Sequence, residues 1–86
     1  MSNVNISPAP VPVLDAVATV ARGADELAEG VRATTLSAEV LFGRYCALVF
    51  HRAGSLREAA RRLGTDTRTV KARIDHVFLD ELRAAR

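Results

Sequence analysis

The segment 54–74 constrains the fold of this chain more than any other part of the sequence. Ser55 and Glu58 form a capping box, in which the serine side chain accepts from the glutamate amide and the glutamate side chain reaches back to the serine amide. A helix is predicted from there over about 56–63, because Gly64 supplies the left-handed residue that commonly ends a helix. The segment therefore predicts a short helix closed by a tight glycine turn.

A second helix is predicted directly after this turn. Asp66 is a favourable N-cap, so the helix begins near Thr67, and its pattern allows it to run to about Leu82. With 3.6 residues per turn, Val70 and Ile74 define its inner face. Together with Leu63, these aliphatic side chains can close a small core between the two helices.

The outer face of this second helix is basic. Arg68 and Ala72 lie almost opposite the inner face, and Thr69 and Lys71 lie on its flanks. A short helix, a tight turn and a second helix with a basic outer face form the helix-turn-helix pattern, whose second helix enters the major groove of DNA.

Charge is distributed unevenly along the chain. The net charge is only +2, yet residues 1–51 carry three basic and five acidic side chains, whereas residues 52–86 carry nine basic and five acidic ones. A basic segment beside an acidic one suggests a polyanion partner for the basic end. A solvated helix face of mixed charge gives the same pattern, so charge alone does not decide between the two.

The first half of the chain predicts two further helices. Residues 1–12 contain three prolines and little periodicity, and we interpret them as a disordered, proline-containing arm. Apolar residues at helical spacing predict a helix from Val13 to about Ala33. Ser37 is a suitable N-cap for another helix over about 38–52.

The chain is therefore predicted to be a single all-α domain of four helices over residues 13–86. Its parts are a helical hairpin for dimerisation over 13–52, a helix-turn-helix over 54–76 and a C-terminal extension over 77–86.

The helix over 38–52 is apolar around most of its circumference, as expected of a helix buried on more than one side. A chain of 86 residues has a thin core, and its single cysteine excludes an intrachain disulfide. No Cys/His cluster has zinc spacing, so association with a second copy is the remaining common means of burial. The residues assigned to dimerisation are Leu14, Val17, Leu27, Leu41, Tyr45, Leu48 and Val49.

The segment 54–74 resembles the Fis family and the C-terminal domain of NtrC-type activators. The matching elements are Gly54, Ala59-Ala60, Leu63-Gly64, Thr69, Val70, Ile74 and, in the preceding helix, Tyr45-Cys46 and Val49. The resemblance covers about residues 36–76. It implies a dimeric DNA-binding protein in which the two helices before the motif form the dimer interface.

This chain departs from the family pattern at three places. The family usually has arginine where this chain has Thr67, so either Arg68 takes over base reading or the sequence preference differs. Asp66 replaces the usual Asn or Ser, where it can cap the helix or accept from a cytosine amine. Residues 1–12 lack the hairpin pattern of the arm that Fis uses in recombination, so stimulation of a recombinase is not expected.

The residues predicted to contact DNA lie in the basic segment. Arg61 and Arg62 precede the turn and are placed to touch phosphate, with simple solvated charge as the alternative. Arg68 is predicted to read bases, while Arg61, Lys71 and Arg73 mainly hold the backbone. The full set is Arg61, Arg62, Asp66, Thr67, Arg68, Thr69, Lys71, Ala72 and Arg73.

Reactive side chains elsewhere in the sequence are expected to have structural roles. Cys46 on an apolar helix is expected to pack in the core, and His51 near a helix C-terminus is expected to cap it. No nucleophile, base and orienting group can be assembled, so we expect no enzyme activity, no metal and no cofactor. In the C-terminal extension, the residues expected to extend the core are Val77, Phe78 and Leu82, whereas Leu79 is expected to point away from it.

Two classes of function are compatible with these features. The first is a dimeric transcriptional regulator or nucleoid-associated protein. The alternative is a protein-interaction module, such as an antitoxin or an accessory subunit, whose N-terminal helices bind a protein partner and whose helix-turn-helix serves autoregulation. The sequence has no apolar run that could span a bilayer and lacks the features of a signal peptide, so a cytoplasmic, nucleoid location without membrane contact is expected.

Overall fold

The computed structural model describes residues 12–84, with side chains over 17–84, and is helical without strands over this range. Five helices follow one another: α1 (Pro12–Ala33), α2 (Ala38–Ala53), α3 (Leu56–Leu63), α4 (Thr67–Arg73) and α5 (His76–Arg83). The all-α class is confirmed, but the predicted number of four helices is wrong. The predicted arm over residues 1–12 lies outside the described residues, apart from Pro12 at the first position of α1.

The bounds of α1 and α2 follow from local signals. The side chain of Ser37 accepts a hydrogen bond from the Val40 amide at 3.1 Å, which confirms the predicted N-cap of α2. α2 ends at Ala53 and is capped by Gly54, which has a φ of +84° and donates its amide to the Phe50 carbonyl. α1 ends at Ala33 and is followed by Thr34, whose φ of +53° is unusual for a β-branched residue.

The helix predicted over 67–82 is broken in the middle. Ile74 adopts an extended conformation with a φ of −60° and a ψ of 135°. Asp75 then caps α5, because its carboxylate accepts from the Phe78 amide at 2.9 Å. The Asp75 amide donates to the carbonyl of Gly43 in α2 at 3.0 Å. The break thus coincides with a contact between distant segments, which the local sequence pattern does not reveal.

This break changes which side chains of the last segment are buried. α5 packs against α1 and α2, with Phe78, Leu79 and Leu82 buried in the contact. Val77, predicted to extend the core, is 70% exposed, whereas Leu79, predicted to point away from it, is only 3% exposed. Both errors arise because the prediction continued the phase of α4 into a segment that forms a separate helix.

One apolar core joins the five helices, and α2 packs against each of the other four. The buried cluster contains Val20, Leu27, Cys46, Ala47, Leu48, Ala60, Val70, Ile74, Phe78, Leu79 and Leu82. The expected burial of α2 on more than one side is met within the chain itself, because the four other helices pack against it.

None of the helices within residues 12–84 is both long enough and apolar enough to cross a membrane.

Candidate nucleic-acid interface

α3 combines a buried side of small residues with exposed cations. The Ser55 hydroxyl accepts from the Glu58 amide at 3.2 Å, which confirms the predicted start of the helix. Ala59 and Ala60 are buried where α3 packs against α2 and α4. The exposed cationic side chains of this helix are Arg57, Arg61 and Arg62.

The turn after α3 is built around Gly64, whose φ is +72°. The Gly64 amide donates to the Arg61 carbonyl at 3.2 Å, and the Thr65 amide donates to the Ala60 carbonyl at 2.9 Å. These two bonds satisfy carbonyls in the last turn of α3 that have no partner within the helix. The glycine turn lies where the sequence predicted it.

Asp66 caps the start of α4. Its carboxylate accepts from the Thr69 amide at 2.8 Å, and this hydrogen bond is the main cause that lowers the pKa of Asp66. Of the two roles considered for this residue, the N-cap is present in the structure. The carboxylate therefore keeps its negative charge at the first turn of α4, where it is favoured by the helix dipole.

α4 has one buried face and one exposed face, as its periodicity predicts. Val70 is fully buried against α2 and α3, Ile74 is buried just beyond the helix, and Thr69 is half-buried. The helix predicted to enter the major groove was expected to extend at least to residue 76, the end of the predicted helix-turn-helix, but α4 ends at Arg73. The exposed residues of α4 are Thr67, Arg68, Lys71, Ala72 and Arg73.

Glu58 holds the two arginines predicted to touch phosphate. Its carboxylate accepts from the Nε of Arg61 at 3.1 Å and from the Nε of Arg62 at 3.2 Å, and Arg61 donates a further bond from Nη2. The bonds from Arg61, followed by those from Arg62, lower the pKa of Glu58, and the pKa of Arg61 is raised. The predicted return bond from the Glu58 side chain to the Ser55 amide is absent, because the carboxylate faces these arginines instead.

Sequence reasoning missed this cluster, although its signal was present. Opposite charges at i,i+3 and i,i+4 on a helix lie close enough to pair, and Glu58, Arg61 and Arg62 have this spacing.

The C-terminal end of α4 is fixed against α2. A Cβ atom on Gly43 would lie 2.8 Å from the Arg73 carbonyl oxygen, so the two helices meet where α2 has no side chain. Arg44 lies next to this contact, with its Nε 3.8 Å from an Asp75 carboxylate oxygen and its guanidinium 5.7 Å from the centre of the Phe78 ring. These contacts orient the candidate DNA-binding surface relative to the first half of the molecule.

The residues predicted for dimerisation do not all lie on one surface. Leu27, Leu41, Tyr45 and Leu48 line a shallow groove between α1 and α2, which we call the α1–α2 groove. Its lining residues are Ala24, Leu27, Ala28, Val31, Arg32, Leu41, Tyr45 and Leu48.

The other three predicted dimerisation residues do not line the α1–α2 groove. Val17 is exposed and lines a different hollow together with His51, and Val49 is half-buried. The side chain of Leu14 lies outside the described side chains. The structure therefore brings together four of the seven predicted residues, of which Leu27 and Leu48 are already buried by the chain itself.

Two further features bear on chemistry: the environment of Cys46 and the grouping of possible metal ligands. Cys46 is fully buried in the core, as predicted, and burial raises the pKa of its thiol. Among the side chains that the structure describes, no group of three or more His, Cys, Asp or Glu residues could hold a metal ion.

Comparison with known proteins found no protein-family model, no curated protein and no solved structure that matches this chain. The likeness of segment 54–74 to the Fis family therefore stays a prediction that depends on its own residues.

Proposed function

We propose that this protein binds double-stranded DNA, as a transcriptional regulator or a nucleoid-associated protein, with α3 and α4 as a Fis-type helix-turn-helix. The observation that carries this proposal is the concentration of exposed cationic side chains on these two helices. They are Arg57, Arg61, Arg62, Arg68, Lys71 and Arg73. Phosphate contacts from such side chains supply essentially all non-specific affinity for DNA and position the protein for base contacts.

Within this proposal, α4 enters the major groove with its exposed face. Arg68 lies opposite the buried Val70 near the start of α4, from where a long side chain can form a bidentate contact with guanine. Lys71 and Arg73 lie further along the helix and to its sides, where phosphate is within reach. Asp66, Thr67, Thr69 and Ala72 complete the proposed surface.

We further propose a homodimer that forms through α1 and α2. Val31 and Tyr45 line the α1–α2 groove and remain 49% and 48% exposed, which leaves apolar surface for a second copy to cover. A two-fold dimer would present two α4 helices to half-sites about one helical turn of DNA apart.

The same groove also supports a second candidate function. In a protein-interaction module, such as an antitoxin or an accessory subunit, the α1–α2 groove would bind a different protein and the helix-turn-helix would serve autoregulation. A stable monomer that binds DNA weakly would favour this candidate over the dimeric regulator.

Salt-dependent binding to duplex DNA tests the main proposal. If a dimer neutralises about six to eight phosphates, the slope of log affinity against log salt is expected to be about −5 to −7 between about 50 and about 200 mM salt. Lys71→Ala should weaken binding to all sequences alike and make the slope less steep. Arg22→Ala removes an exposed cation of α1 that does not line the α1–α2 groove, and serves as the control that leaves the slope unchanged. A slope near zero for the unmodified protein would overturn the proposal.

Base reading by Arg68 is tested with a panel of single-base variants of a preferred site. Arg68→Ala is expected to cost about 1–3 kcal/mol of binding free energy and to relax specificity at one position in each half-site. If the variant loses affinity uniformly while its sequence preference stays intact, Arg68 contacts phosphate instead.

Sedimentation at micromolar concentration tests the dimer. Tyr45→Glu places a charge in the α1–α2 groove at an exposed position and is expected to give a folded monomer. Val77→Glu, at an exposed apolar position of α5, is the matched control that should stay dimeric. Replacement of Leu48 is less informative, because this side chain is buried within the chain itself and its loss would also cost folding stability.

A further inference from the structure

We propose that Glu58 is a built-in competitor for DNA phosphate, which occupies Arg61 and Arg62 in the free protein and lowers the affinity of this surface for DNA. This role rests on the proposed DNA-binding function. It assigns to Glu58 a part in binding that goes beyond the capping of α3.

The geometry of the Arg61 contact carries the proposal. Arg61 donates to Glu58 from both Nε and Nη2, which is the forked edge that an arginine also offers to a phosphate group. A carboxylate and a phosphate therefore compete for the same two donors. Arg62 donates from Nε alone, so its other donors remain available.

Exposure shows that this competition can take place at the surface. The side chains of Arg61 and Arg62 are 73% and 50% exposed, whereas that of Glu58 is only 32% exposed. The arginines are accessible to an approaching phosphate, and the carboxylate lies closer to the protein beside them. A phosphate can displace the carboxylate without unfolding α3, but it then lies near a negative charge.

The Glu58 side chain can be changed without removing the cap of α3. The bond between the Ser55 hydroxyl and residue 58 uses the backbone amide of Glu58, whereas the Glu58 carboxylate accepts from Arg61 and Arg62. Glu58→Gln therefore preserves the cap and the size of the side chain while it removes the charge that holds the arginines.

Binding of a duplex of random sequence to the full chain provides the first measurement. Glu58→Gln is expected to bind about two- to fivefold more tightly per DNA-contacting subunit at low salt, since exposed ion pairs have energies of this size. The slope of log affinity against log salt should steepen by about one per subunit, because one more cation is free to replace a counterion.

Glu29→Gln is the matched control. Glu29 also accepts from an arginine three residues later, Arg32, at 2.9 Å, and the substitution makes the same change in net charge. Glu29 lies on α1, which packs against α2 and α5 but not against α3 or α4. Thermal unfolding of both variants checks that each is folded, and Glu58→Ala provides a second variant that keeps the Ser55 cap.

A double-mutant cycle gives the decisive result. If Glu58 competes with phosphate, Arg61→Gln should lose more affinity in the Glu58→Gln background than in the unmodified protein. Additive effects, or equal affinities of Glu58→Gln and Glu29→Gln, would overturn the role of Glu58 while DNA binding itself persists. Failure of the unmodified protein to bind duplex DNA would overturn the proposed function, and this inference with it.

Discussion

The two ends of α4 are built in different ways. At its start, Gly64 turns the chain and Asp66 caps the next helix, so every contact that defines this end lies within a few residues of sequence. At its other end, the Asp75 amide donates to the Gly43 carbonyl of α2, about thirty residues away in sequence. Asp66 is the N-cap of α4, and Asp75 is the N-cap of the next helix, α5. Only the start of α4 depends on local signals alone.

The two ends of α4 therefore have different roles in the proposed DNA-binding surface. The start of α4 places Arg68 beside an exposed turn, where a duplex could approach. The end of α4 fixes the helix on α2 and therefore sets its direction relative to α1 and α2. In the proposed dimer, the contact at Gly43 would determine the angle between the two α4 helices, although it lies outside the basic surface.

The largest expected effect on the free energy of unfolding concerns Phe78 in α5, which follows the end of α4 that contacts α2. Phe78 is buried where α5 packs against α1 and α2, beside the guanidinium of Arg44. Phe78→Ala is expected to lower the free energy of unfolding by about 3–5 kcal/mol, measured by urea denaturation. Val77→Ala, at the neighbouring exposed position, should change it by less than about 0.5 kcal/mol. Equal effects of the two substitutions would mean that α5 is not packed as described.

Gly43→Ala tests the contact between α2 and the end of α4, because this contact decides whether the substitution raises or lowers the free energy of unfolding. In an uncovered helix, replacing glycine with alanine stabilises by about 1 kcal/mol. At Gly43 the added Cβ atom would lie 2.8 Å from a backbone carbonyl oxygen of α4, which has little freedom to move away. We therefore expect a destabilisation of about 1–3 kcal/mol. An increase in the urea midpoint would show that α4 does not approach α2 at this residue.

Gly64→Ala tests the start of α4, whose contacts are local in sequence. It again replaces glycine with alanine, but the expected cause of destabilisation is different. A Cβ atom at Gly64 would meet nothing within 4 Å, so steric overlap with other residues plays no part. The φ of +72° still disfavours alanine, and a loss of about 1 kcal/mol in the free energy of unfolding is expected. Gly64→Asn should lose less, because asparagine tolerates the left-handed region better. Equal losses for both variants would argue against a conformational origin.

The same contrast explains how much of the fold could be predicted from the sequence. The starts of α2, α3 and α4 were predicted correctly because Ser37, Ser55 and Asp66 are N-caps that act within one turn. The break before α5 was not, because the Ile74–Asp75 segment carries no glycine or proline and is held by a distant carbonyl. Once that break was missed, the burial of Val77 and Leu79 was predicted the wrong way round.

The candidate site shows the same limits. Helical periodicity correctly separated the buried Val70 from the exposed Arg68, because both belong to one regular helix. The partners of Arg61 and Arg62 were missed, because a capping box and an ion pair compete for the same Glu58 carboxylate and spacing alone does not choose between them. The α1–α2 groove depends on how α1 packs against α2, which only the assembled fold reveals.

The smallest expected effect concerns the Asp66 cap and its dependence on pH. The hydrogen bond from the Thr69 amide lowers the pKa of Asp66 in the folded protein, so the ionised carboxylate is favoured by folding. The resulting stabilisation is fully present above the ordinary pKa of an aspartate, about 4, and is lost as the pH falls through the lower pKa of the folded state. Asp66→Asn keeps an oxygen that accepts from the Thr69 amide but removes the titrating charge.

Thermal midpoints of the unmodified protein and of Asp66→Asn, compared between about pH 6 and about pH 3, measure this contribution. The unmodified protein is expected to be more stable near neutral pH, and its advantage should shrink as the pH falls, since protonation removes the charge that favours the start of α4. All other carboxylates are common to both proteins, so their contributions to the pH dependence largely cancel in the difference. A difference that stays constant with pH would mean that the charge of Asp66 does not stabilise this end of α4, and that its oxygen alone serves as the cap.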